Sequence, residues 1–114
     1  MRRGDVYTAA AKGAYTGTVV IVQDDRFDAT ASVTVCPMTT NPVEAPLTRI
    51  VVEPSPVNGL GSQSRLMVDK VTTMPRGNLR DRLGRLRGGE LVQLNRALIV
   101  FLGLAASARE GEAG

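Results

Sequence analysis

Apolar and polar positions alternate with a period of two along the first three quarters of the chain and take up a helical period only near its end. Asp5-Val6-Tyr7-Thr8-Ala9 predicts a short first strand, and residues 10–17 a loop of small residues that contains Lys12. Thr18-Val19-Val20-Ile21-Val22-Gln23 is an unbroken β-branched run, the pattern of a strand covered on both faces and therefore central. Residues 24–29 interrupt it with three aspartates, which predicts a turn or one helical turn with an aspartate cap. Ser32-Val33-Thr34-Val35-Cys36 alternates again, with Val33 and Val35 on one face and small polar side chains on the other, and residues 37–42 predict a polar rim closed by prolines. Residues 47–53 read as a strand and 54–61 as a Pro- and Gly-rich loop.

Further along, Arg65-Leu66-Met67-Val68-Asp69 predicts a strand with Leu66 and Val68 inward and Arg65, Met67 and Asp69 on the other face. Residues 79–86 predict a last, basic strand in which Gly84 permits a bend or bulge. After Gly88-Gly89 the spacing of Leu91, Leu94, Leu98, Phe101 and Leu102 predicts one amphipathic helix, stopped at Gly103. Short strands followed by a terminal helix imply a mainly β (α+β) fold, a small SH3-like barrel of antiparallel strands with a C-terminal amphipathic helix packed on it. One domain over residues 1–106 and a flexible tail over 107–114 are expected, since 114 residues at 43 % hydrophobic composition suffice for a single modest core.

Composition then narrows the chemistry. The chain has no histidine, which removes the side chain most used for proton transfer near neutral pH, together with Ser/His and Cys/His nucleophile pairs. Two Phe, two Tyr and no Trp argue against base-stacking surfaces. The single Cys36 cannot form an internal disulfide, and neither a secretory leader nor an apolar run of the roughly 20 residues that span a bilayer is visible, so a cytoplasmic protein without membrane contact is expected. Of the net charge of +3, residues 76–87 hold +4, with five arginines against Asp81. Such a segment faces either an acidic partner, a phosphate backbone or acidic peptide, or only water. Asp24, Asp25 and Asp28 fit turn and cap duty better than a metal site, and no cofactor is indicated.

Arg3-Gly4-Asp5-Val6-Tyr7, the run from Thr18 to Asp25, Val35-Cys36-Pro37-Met38-Thr39-Thr40, Met67-Val68-Asp69-Lys70-Val71-Thr72-Thr73-Met74 and Arg82-Leu83-Gly84-Arg85-Leu86 resemble, in order and spacing, segments of the MazF/PemK toxins. The resemblance runs over nearly the whole chain. It implies a homodimeric endoribonuclease of a type II toxin–antitoxin system that cuts single-stranded RNA without a metal, through attack of a ribose 2′-OH on the adjacent phosphorus. It also implies a cognate acidic antitoxin whose flexible tail covers the RNA groove.

Carried over residue by residue, the family's catalytic threonine falls on Thr39, with Thr40 and Asn41 beside it as RNA contacts. The arginine-proline pair that precedes the second strand in the family falls on Gly17 and Thr18, so either another cation meets the phosphoryl charge or cleavage is weak or lost. Lys12, the only cation in the preceding loop, is the nearest substitute in sequence, and Arg65 is the next candidate. Asp69 matches an acidic position used near RNA, or else forms a strand-end ion pair with Arg65 or Lys70; Lys70 stands where the family often has glutamine. Two other functions fit the same strands: a cleavage-dead toxin fold that binds antitoxin or inhibits a protein such as a topoisomerase, as CcdB toxins do, and a general SH3-like interaction domain.

Overall fold

The computed structural model describes residues 1–10 and 16–106. Its strands are β1 (Asp5–Ala9), β2 (Gly17–Ile21), β3 (Ser32–Thr39), β4 (Arg49–Val52), β5 (Ser64–Met67), β6 (Thr72–Pro75) and β7 (Leu79–Arg85), followed by the helix α1 (Gly88–Phe101). They form one seven-stranded sheet in the order β4-β5-β3-β2-β1-β7, all neighbours antiparallel, with β6 also paired to β3. The mainly β architecture with a C-terminal helix is thus as the patterning predicts.

Strand β2 is central, and its two faces feed two cores. Val20 joins Val6, Cys36, Met38, Leu66, Val68 and Leu94 in the core under α1, while Val19 and Ile21 join Val33, Val35 and Met74 on the opposite face. An unbroken β-branched run is what such a position requires. Leu94 anchors α1 with no exposed surface, so its truncation to Ala costs on the order of 2–5 kcal/mol. Gly103, at φ +75°, ends the helix where a side chain would be strained.

Several local expectations are corrected. Strand β3 does not stop at Cys36 but runs through Pro37 to Thr39. Pro37, which has no N–H to donate, stands where β3 changes partner from β6, paired to Ser32–Val35, to β5, paired to Met38 and Thr39. Cys36 faces the core under α1 rather than a polar surface, and burial pushes its thiol up to about 12. Strand β6 was not expected from its Thr-rich sequence and exists through its pairing with β3. Residues 47 and 48 precede β4, and Leu47 is exposed. Beyond Met67 the chain turns into a single 3-10 turn, Val68–Lys70, which carries Asp69 out of the strand. The apolar stripe of α1 divides: Leu94 is core, while Phe101 and Leu102 at its end are exposed.

Candidate active site

Thr39 stands at the open end of β3 because the ladder ends there. The Val19–Pro37 pair, continued by one pleat, brings Gly17 level with Thr39. On its other side β3 pairs Thr39 with Arg65 of β5. A groove of about 320 Å³ opens at this end of the sheet, lined by Thr16, Gly17, Thr18, Thr39, Thr40 and Met67, among others. Two chain segments more than twenty residues apart in sequence, the start of β2 and the end of β3, therefore meet in one cleft.

The Thr39 hydroxyl oxygen accepts a hydrogen bond from the Asn41 backbone N–H at 3.1 Å. With the oxygen so held, the hydroxyl proton remains to be donated to a ligand oxygen. Asn41 thus enters the site through its backbone, and Thr40 lines the groove directly.

The other expected residues fall elsewhere. Arg65 is buried, with its side chain 8 % exposed, and its guanidinium donates to the carboxylate of Glu44 at 2.9 Å. This differs from the outward face predicted for it: the sheet covers Arg65, and an exposed loop carboxylate supplies the counter-charge that a buried guanidinium needs. It does not line the groove beside Gly17. Asp69 pairs with Arg49, not with Arg65 or Lys70, because the 3-10 turn aims it back over β4. Burial raises the Asp69 carboxyl, but the hydrogen bond and charge of Arg49 outweigh it and hold the group below the usual carboxylate range. Lys70 is exposed at the end of the same turn, and neither Asp69 nor Lys70 lines the groove. Lys12 lies outside the described residues.

Asp24 and Asp25 do serve the turn after β2. Asp24 accepts from the Arg26 N–H at 2.9 Å, which lowers its carboxyl below the usual range, and Asp25 accepts from the Arg3 N–H at 2.6 Å. No cluster of three or more His, Cys, Asp or Glu side chains suited to a metal occurs among the described residues. Sequence reasoning missed Thr16 and Met67 as lining residues. For Thr16 the available signal was that Gly17 sits between two hydroxyl residues at a strand start.

Residues 2–102 match the family of PemK-like, MazF-like toxins of type II toxin–antitoxin systems. The chain belongs to this PemK/MazF family. A probable endoribonuclease MazF from Mycolicibacterium smegmatis is 62 % identical over 108 residues, covering 92 % of this chain and 99 % of that protein. Among solved structures, a mycobacterial endoribonuclease in complex with its cognate antitoxin superposes with a TM-score of 0.77 at 28 % identity, over 91 % of this chain and 96 % of that one. The Mycobacterium tuberculosis toxin MazF-mt6 does so with a TM-score of 0.75 at 25 % identity, over 87 % and 96 %. The groove at Thr39 holds both Thr39 and Gly17, the two positions that the family resemblance singles out.

Proposed function

We propose that this chain is the toxin of a type II toxin–antitoxin pair, an endoribonuclease that cuts single-stranded RNA in the Thr39 groove and is held in check by a cognate acidic antitoxin. The observation that carries this reading is the Thr39 hydroxyl, fixed by the Asn41 N–H at the wall of an open groove, in a chain of the PemK/MazF family. The step is attack of a ribose 2′-OH on the adjacent phosphorus, with a 2′,3′-cyclic phosphate formed and the 5′-oxygen leaving. It uses no metal. Thr39 donates to a non-bridging phosphoryl oxygen as negative charge accumulates there, and Thr40 and the Asn41 backbone shape the approach of the strand.

Arg65, committed to Glu44, reaches a phosphate only if that pair opens; Lys12, outside the described residues, is the other candidate cation. That no cation lines the Thr39 groove among the described residues favours a second reading, in which cleavage is weak and antitoxin binding is the retained activity. The protein acts in the cytoplasm as a homodimer, with residues 1–106 as its one domain; the tail expected over 107–114 lies outside the described residues.

Incubation of the purified chain with a long single-stranded RNA in EDTA tests the proposal. Cuts recurring in one short sequence context, slowed about 100-fold in Thr39→Ala, are expected, since loss of one donor to a developing oxyanion costs about that much. Intact RNA alongside tight antitoxin binding would replace the enzyme reading with the second one. Lys12→Ala and Arg65→Ala, measured in the same assay, identify which cation the reaction uses.

A further inference from the structure

Thr16, Gly17 and Thr18 line not one groove but two. Across β2 from Thr39, a second depression of about 710 Å³ is bounded by the same three residues together with Thr8, Arg80 and Asp81. The sheet register explains the continuity: Ala9 pairs with Gly17 on one side and with Leu79 on the other, so the ends of β2, β1 and β7 lie in one row.

Arg80 is the charge that distinguishes this second groove. Its guanidinium donates to the carbonyl oxygens of Gly77, of Ala10 at 3.1 Å and of Leu79 at 3.5 Å. Carbonyl partners fix the position of a guanidinium without cancelling its charge, and among the described residues no carboxylate pairs with Arg80. Of the neighbouring arginines, Arg82 is tied to the Asp5 carboxylate, and Arg76, held by the Thr30 carbonyl and Met1, does not line the groove. The hydroxyl-bearing Thr8, Thr16 and Thr18 stand on the same walls. Asp81 contributes an opposing charge at the rim, and its backbone N–H is bonded to the Thr8 hydroxyl at 3.0 Å.

We infer that the groove of Arg80, Thr8, Thr16 and Thr18 is a phosphate subsite for the RNA strand, holding a backbone phosphate next along from the one at Thr39. The inference rests on the reading of the Thr39 groove as the RNA site. The strand runs from one groove to the other along the shared residues 16–18, and the fixed guanidinium supplies one ion pair to it. Because the contact is to the backbone, it adds affinity without sequence preference.

Binding of a labelled, mixed-sequence single-stranded RNA bearing 2′-O-methyl groups, which cannot be cut by 2′-OH attack, tests this across a salt series with the full chain. Each phosphate neutralised contributes a slope of about −0.7 to log K against log salt for single strands. Arg80→Gln, which keeps donors for the carbonyls but not the charge, is expected to weaken binding about tenfold near 0.1 M salt and to shed about 0.7 of the slope. Arg80→Lys should keep the slope, and Asp81→Asn should tighten binding. Arg26→Ala, which removes an equal charge at the opposite end of β2, should leave the slope unchanged. A folded Arg80→Gln with the parent's slope, or a loss matched by Arg26→Ala, overturns the subsite while leaving the RNA site standing. Failure of the parent chain to bind the RNA overturns both.

Discussion

Thr39 and Gly17 stand level at the ends of adjacent strands, one with a fixed hydroxyl and the other with no side chain at all. A guanidinium introduced at residue 17 would enter the same groove, so Gly17→Arg is expected to raise the rate of RNA cleavage about tenfold or more, read from single-turnover assays. An unchanged rate would place the missing charge elsewhere. Asp69 carries a prediction of the opposite kind, about stability. Its carboxyl titrates lower in the folded than in the unfolded chain, so the contribution of the Arg49 pair is present above the usual carboxylate range and fades as pH falls through the folded value. Asp69→Asn should therefore lower stability by about 1 kcal/mol or less at pH 7, since Asp69 is partly exposed, and the gap to the parent should narrow in melts as pH falls below the usual carboxylate range.

Among the elements, β7 depends on a backbone contact that its sequence marks only with a glycine. A Cβ at Gly84 would lie 2.1 Å from the Val57 carbonyl oxygen and 2.8 Å from the Asn58 carbonyl carbon. The loop that packs there is itself braced by the fully buried Asn58, whose side chain accepts from the N–H groups of Ser55 and Leu60 and donates to the Glu53 carbonyl. Neither backbone can yield cheaply. Gly84→Ala is expected to destabilise by about 2–3 kcal/mol in urea unfolding, as overpacking against rigid neighbours does. An equivalent change at Gly77, where nothing lies within 4 Å of the added Cβ, should cost far less.

At the scale of the molecule, the far end of α1 and the approach to β4 leave apolar surface uncovered. Val100, Phe101, Leu102 and Leu104 are each 46–59 % exposed, and Leu47 reaches 72 %. A groove of about 550 Å³ runs between Leu47, Ile50 and Val51 on one side and Ala97 and Val100 of α1 on the other. Contiguous apolar surface of this kind on a small domain marks an interface. The homodimer proposed here should appear as a species of twice 12.1 kDa in light scattering, and Val100→Asp with Phe101→Asp should shift it toward monomer. A monomer for the parent chain at micromolar concentration would assign that surface to another partner.

Local pattern by itself determined the central β2, the capped turn at Asp24, the basic strand β7 and the helix that ends at Gly103. In each, the information is the spacing of neighbouring side chains, which the backbone reads without help from distant residues. It also carried the family resemblance and, through Thr39, one wall of the site. Tertiary structure alone decided the rest, because strand pairing is a bargain between segments far apart in sequence. The continuation of β3 through Pro37, the existence of β6, the burial of Arg65 against Glu44 and the diversion of Asp69 to Arg49 all follow from which strand lies beside which. The same pairing set Gly17 beside Thr39 and opened the groove beyond it toward Arg80.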